Sequence, residues 1–167
     1  ERLGLEHRSF DRYTGRYLQK DFRIRVEDGS LLPSEDINAY TDGSKTSSGV
    51  GLGISITSGE SEVQTYFERC TPSTTVYEAE MMAINMAAEQ LTRAKVKGKD
   101  IKIHSDSMSV LQTLRGSKTK TSLASGTVYK LQNLARYNKV TLHWVKAHVG
   151  ICGNERADEL AKRGEIR

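Results

Sequence analysis

The stretch Ile37-Asn38-Ala39-Tyr40-Thr41-Asp42-Gly43-Ser44 constrains this chain most, because it runs apolar and aromatic strand formers straight into a carboxylate. Ile37, Ala39 and Tyr40 predict a core strand ending at Asp42, with Gly43-Ser44 as a turn that lets the backbone approach a ligand closely. A carboxylate at the end of a core strand is costly to bury unless it is hydrogen-bonded, protonated or bound to a cation. Taken alone, Asp42 reads as an Asx-turn residue bonded to its own loop. The rest of the chain changes that reading by supplying three more acids in comparable places.

After a loop at Lys45-Thr46-Ser47-Ser48, residues 50–57 alternate Gly51, Gly53 and Ser55 with Val50, Leu52, Ile54 and Ile56, the period of a strand. Glycines along one face predict close approach of another element. Residues 62–68 follow as a third strand, so the start is an antiparallel meander. Pro72-Ser73-Thr74-Thr75 then offers N-caps for a long helix over residues 76–95. On that helix Glu80 precedes Ala83, Ile84 and Ala87 by three, four and seven residues, which puts an acid on the apolar face. A boundary glutamate snorkelling over the core is the plain alternative. Residues 101–105 form a short strand leading to Asp106, which either caps the helix expected over residues 107–114 or leaves that cap to Ser105 or Ser107. A basic loop at residues 115–122, a helix over residues 123–137 weakened by Gly126, and a strand over residues 140–145 come next. The glycine-bracketed loop at residues 147–153 carries His148. Asn154 is expected to cap a last helix to about residue 163, with Glu155, Asp158 and Glu159 in its first turns, where acids suit the helix dipole. Strand, helix, strand, helix implies parallel pairing, which gathers strand ends at one rim of the sheet.

With 167 residues, 37% of them hydrophobic, the chain has enough apolar material for one domain, expected over residues 37–167 and preceded by a basic flank over residues 1–36 with a short strand at 22–26. The net charge of +4 is concentrated there, since residues 1–25 hold seven Lys and Arg against four acids. Such an arm binds phosphates or is simply a solvated flank. Two cysteines, Cys70 and Cys152, are too few for a disulfide framework and point to an intracellular setting, nuclear or cytoplasmic. His148 and Cys152 have the spacing of half a zinc site, but no second pair follows. No apolar run is long enough to span a membrane, and no signal-peptide pattern is present. Starting at Glu1, the chain reads as a piece of something longer.

Asp42, Glu80, Asp106 and Asp158 each fall at a strand end or helix start that this topology can bring to one rim. Packed carboxylates repel one another unless cations neutralise them, and an oxygen-only ligand set selects magnesium or manganese rather than zinc. Two such ions, about 3.5–4 Å apart, suit phosphodiester hydrolysis.

Five segments in order carry a family resemblance. They are Tyr40-Thr41-Asp42-Gly43-Ser44, Ala79-Glu80-Met81-Met82-Ala83-Ile84, Ser105-Asp106-Ser107, Trp144-Val145-Lys146-Ala147-His148, and Gly153-Asn154-Glu155-Arg156-Ala157-Asp158-Glu159-Leu160-Ala161. Over roughly residues 37–164 the chain resembles ribonuclease H of type 1. The resemblance implies an α/β fold with a five-stranded mixed sheet, three strands antiparallel and then parallel ones, flanked by helices. It implies metal binding by Asp42, Glu80, Asp106 and Asp158 through two Mg2+ ions that Mn2+ can replace. It also gives His148 the part of a mobile loop histidine that shuttles a proton or aids product release. The implied activity is endonucleolytic cleavage of the RNA strand of an RNA/DNA hybrid, leaving a 5′-phosphate and a 3′-hydroxyl. Gly43, Ser44, Thr74, Thr75 and Asn154 are the expected substrate contacts. Val76 and Tyr77 stand where many members carry asparagines that touch the hybrid, Met108 stands where glutamine is common, and the segment between Asp106 and His148 is too short for a long basic protrusion. With the basic flank, this is most similar to the domain of a non-LTR retrotransposon polyprotein, whose linked reverse transcriptase would hold the hybrid. Two alternatives are a hybrid-binding module with weak or lost catalysis and a nuclease of related fold that acts on DNA.

Overall fold

The computed structural model describes residues 22–26, 32–116, 121–147 and 150–166. In chain order the elements are β1 (Phe22–Val26), β2 (Ile37–Thr46), β3 (Gly49–Ser58), β4 (Ser61–Cys70), α1 (Val76–Arg93), β5 (Asp100–Ser105), α2 (Met108–Arg115), α3 (Ser122–Ala135), β6 (Lys139–Trp144) and α4 (Cys152–Glu165). The strands form one mixed sheet in the order β1-β6-β5-β2-β3-β4. β2, β3 and β4 pair antiparallel, while β5 lies parallel to both β2 and β6. The five expected strands are therefore present with the expected senses. Phe22–Val26, a short strand that the sequence places in the flank, joins them at the edge, parallel to β6.

Local chemistry explains where the helices begin. Thr75 caps α1 with a reciprocal box: its hydroxyl accepts from the Glu78 N–H at 3.0 Å, and the Glu78 carboxylate accepts from the Thr75 N–H at 2.9 Å. Ser107 caps α2 and Thr121 caps α3, each through its hydroxyl. The last helix departs from expectation. Its cap is Ile151, without a side-chain bond, and Asn154 lies buried within the first turn instead. Extended backbone at Ile151 starts the helix, and its carbonyl accepts the Glu155 N–H at 3.0 Å as the first intrahelical bond.

The core lies on both faces of the central strands. Leu52, Ile54, Ile101, Ile103 and Leu142 from the sheet are fully buried, as are Met81 and Ile84 of α1, Leu131 of α3 and Leu160 of α4. Successive residues of a strand point to opposite faces. A Cβ at Gly43 would strike the α1 backbone at Ala79 and Glu80, whereas a Cβ at Gly51 or Gly53 would strike the α4 backbone. With Asp42 opposite Gly53 and Gly43 opposite Leu52, α1 and α4 occupy opposite faces of the β2–β3 ribbon. The glycine face of β3 is thus the seat of α4, with no room for a side chain at Gly51 or Gly53.

Candidate active site

Asp42 is not at a strand end. β2 runs on through Gly43-Ser44 to Thr46, paired with β3 throughout, and the turn falls at Ser47–Ser48 instead. What ends near Asp42 is its pairing with β5, whose register runs from Ile37 opposite Ile101 to Tyr40 opposite His104. Two residues beyond that last pair lie Asp42 on one strand and Asp106 on the other. The sheet forks there, and the fork is the site.

Three carboxylates meet at it. Asp42 of β2, Glu80 of α1 and Asp106 after β5 each offer an oxygen within 4.8 Å of the other two. Gly43 makes the meeting possible, because the Glu80 amide lies 2.7 Å from where a Cβ would stand. The close approach that Gly43 permits is therefore made by α1 rather than by a ligand. Since Ser107 caps α2, Asp106 does not serve as that cap. Its carbonyl accepts from the Trp144 indole at 3.2 Å, tying the end of β5 to β6. Further down β5, His104 stacks on Tyr40 with ring centroids 4.4 Å apart and meets Asn38 Oδ1 at 2.8 Å. Burial pulls the His104 pKa down to about 3, with His143 and Lys102 adding to the effect, so the pillar beneath Asp106 is uncharged.

The electrostatics are those of crowded acids. Burial, then the charge of Asp106, then contact with Asp158 push Asp42 far above the ordinary carboxylate range. Burial, then the charges of Asp42 and Asp106 do the same to Glu80. Glu80 is only 8% exposed and does not snorkel, and its buried Oε1 has no hydrogen-bond partner. An orphaned buried carboxylate oxygen beside two further acids, with no sulfur or imidazole donor in the group, fits a hard divalent cation.

Asp158 is the fourth acid. Lying on α4, it is close enough to Asp42 to hydrogen-bond with it, although it stands outside the 4.8 Å trio. Lys162, one helical turn on, holds its Oδ2 at 3.1 Å. Lys162 and Glu165 are site neighbours that the motifs do not single out. A spacing signal for them exists: Lys162 is four residues and Glu165 seven residues after Asp158, so all three share one side of the helix. Glu165 is buried and accepts from the hydroxyls of Ser44 and of Thr46, the latter at 2.6 Å, fastening the end of β2 to α4.

The expected substrate contacts divide between surface and interior. Ser44 is half-buried on its Glu165 bond, and Gly43 is buried under α1. Thr74 is buried, its carbonyl accepts from Lys45 Nζ at 3.2 Å, and its hydroxyl shares a hydrogen bond with that of Thr71. Thr75 is exposed at the start of α1. Asn154 is 5% exposed. His148 lies outside the described residues. Among the described residues no helix is long and apolar enough to cross a membrane.

Comparison with known proteins accords with this geometry. The RNase H family matches residues 34–166. A Pol polyprotein of Equine infectious anemia virus (isolate 1369) is 32% identical over 90% of this chain, which spans only 12% of that polyprotein. Ribonuclease H of Cupriavidus necator is 32% identical, with 78% of this chain and 95% of that protein covered. The crystal structure of RNase H1 from the archaeon Halobacterium salinarum NRC-1 superposes with a TM-score of 0.59 over 77% of this chain and 96% of that one, at 22% identity. In sequence and in fold alike, this chain belongs to the RNase H family.

Proposed function

We propose that the chain hydrolyses the RNA strand of RNA/DNA hybrids in a divalent-metal-dependent reaction. The observation that carries the reading is the arrival of Asp42, Glu80 and Asp106 from three separate elements within 4.8 Å of one another. These three, with Asp158 beside Asp42, would hold two Mg2+ ions or Mn2+ in their place. Two such ions activate the attacking water and stabilise the leaving oxygen of a phosphodiester. The chain's own work is to fix the acids. Gly43 lets α1 close on β2, the β5–β6 tie fixes the backbone from which Asp106 projects, and Lys162 restrains Asp158. Crowding and burial leave Asp42 and Glu80 inclined to keep protons until a cation replaces them.

Selectivity for a hybrid requires reading 2′-hydroxyls on one strand across a shallow minor groove. Thr75, exposed at the α1 N-terminus, would contact the hybrid directly, whereas Gly43, Ser44, Thr74 and Asn154 would shape the surface from beneath. His148 would carry a proton or ease product release, a task suited to a side chain that titrates near neutrality. Alignment with a retroviral Pol polyprotein over 90% of the chain supports a retroelement setting with a linked reverse transcriptase presenting the hybrid. A non-LTR element acting inside the cell is the finer part of the proposal, and it rests on the basic flank and on Val76, Tyr77 and Met108 in the sequence.

The test is cleavage of a labelled hybrid, a DNA duplex and an RNA duplex with Mg2+, with Mn2+ and with a chelator. The expected outcome is RNA-strand cutting of the hybrid alone, only with metal, giving 5′-phosphate ends. A gel shift without cutting would make the chain a binding module. Equal cutting of all three substrates would remove the hybrid from the reading.

A further inference from the structure

The far end of the domain has a cavity of its own. α1 runs from Glu80 to its C-cap Ala94, and fifteen residues after Glu80, about 22 Å at 1.5 Å per residue, comes Lys95. There the C-terminal ends of α1 and α3 enclose a cavity of about 260 Å3 lined by Lys95, Lys97, Tyr129, Arg136, Tyr137 and Asn138 among others, and among the described residues none of the lining is acidic. Lys97 Nζ lies 4.6 Å from the Tyr137 ring centroid, and Tyr137 is 56% exposed.

Helix C-termini attract cations, so capping must be weighed first. Each terminus amounts to about half a negative charge, so Lys95 and Lys97 together exceed the pair. The terminal carbonyls are satisfied by other groups: Lys95 N–H donates to Thr92, Val96 N–H to Leu91, and the Asn138 amide to both Val96 and Leu134. The ammonium groups are not needed for that work. Lys95 itself has φ 58°, the one positive φ at a non-glycine among the described residues. It occupies the position after a helix where glycine is the usual occupant. A lysine held in the left-handed region carries a steric cost of order 1 kcal/mol or more that a glycine there would avoid.

We infer that this cavity is a second nucleic-acid contact, separate from the acid site, which seats one nucleotide of a single-stranded segment. The phosphate would lie between Lys95 and Lys97, and the base would stack against Tyr137. Cations beside an aromatic ring are the makings of a single-strand platform, and only an unpaired base can present its face to a tyrosine in a cavity of this size.

The test is fluorescence anisotropy with a labelled single-stranded DNA dodecanucleotide and chelator-treated protein, so that the result is independent of cleavage and of the proposed hydrolysis. Lys97→Glu and Tyr137→Ala should each weaken binding about tenfold. Arg69→Glu, the same charge change on the β4 edge strand, should alter it by less than about twofold, as a single exposed charge distant from the contact does. Both cavity variants should cut a blunt hybrid at the unaltered rate. The inference fails if all three variants weaken binding equally, if none does, if blunt duplex DNA competes as well as the single strand, or if a deoxynucleoside monophosphate competes as well as the dodecanucleotide.

Discussion

The two helices that carry acids to Asp42 are seated on the sheet by opposite means. α1 packs through large side chains, Met81, Ile84 and Leu91, and its backbone comes close to the sheet at Gly43. α4 lies backbone against backbone on Gly51 and Gly53 and buries mostly Ala157, Leu160 and Ala161. Their acids differ as well. Glu80 arrives buried, with an orphaned oxygen and only acids among the charges that shift it, whereas the Asp158 side chain is 27% exposed and paired with Lys162. The need for an outside cation is therefore concentrated on the α1 side. The α4 side brings a counter-charge, and its distance from the sheet is set by the absence of Cβ atoms.

The largest expected effect is at the acid both helices meet. Asp42→Asn should lower hybrid cleavage about a thousandfold, the equivalent of about 4 kcal/mol of transition-state stabilisation, with an unchanged circular dichroism spectrum. Between the two helices, Glu80→Gln should lose more activity than Asp158→Asn in the same assay. The reverse order would break the charge contrast between them.

Next in size is the test of the two seats. Gly53→Ala places a Cβ 2.4 Å from Ala161 N and 2.5 Å from Ala157 O, backbone atoms that cannot rotate away. Urea titration should show a loss of about 2–3 kcal/mol, and cleavage should fall as Asp158 moves off. Gly43→Ala meets Glu80 N at 2.7 Å and should cost less. Equal losses would mean that the contacts of α4 adjust as freely as those of α1.

A smaller effect is the pH slope of the metal-free protein. Asp42 and Glu80 are raised above the usual carboxylate range, so the folded state holds protons that the unfolded chain has released. Stability from this source is greatest below a pH of about 4 and is lost as pH rises toward the folded values. His104 works the other way, costing stability as pH falls from 6.5 toward about 3, so the measurement belongs above pH 6.5. Melting temperatures there should decline with pH, less steeply in Asp42→Asn, and Mg2+ should flatten the wild-type slope. Identical slopes for the two proteins would show that the acids are not poised as described.

The smallest effect is a gain. Gly126 lies within α3 with nothing within 4 Å of where a Cβ would stand, so Gly126→Ala should stabilise by about 0.5–1 kcal/mol. A loss there would show that glycine crowding extends beyond the seats of α1 and α4.

Much of this is legible in the chain. The period of residues 50–57 foretells both the strand and a close neighbour on its glycine face, and Glu80 is readable as an inward acid from its spacing to Ala83, Ile84 and Ala87. Asp42 reads as a strand end because Gly43-Ser44 looks like a turn; pairing with Leu52 and Gly51 overrides that preference. Asn154 looks like a cap because of its residue type, yet burial takes it into the helix. Glu165 escapes notice because a last-turn glutamate is usually solvated, and only the fold reveals the two hydroxyls it receives.

What the sequence determined by itself was the identity of the acids and the elements that bear them, since periodicity, caps and turn residues act within a few positions of one another. The tertiary structure alone decided that β2 continues beside β3 while β5 stops, that α1 closes on Gly43, and that Lys162 attends one acid and leaves Glu80 with none. Those outcomes depend on strand register and on the distance between packed backbones, quantities fixed only when residues far apart in the chain compete for the same space.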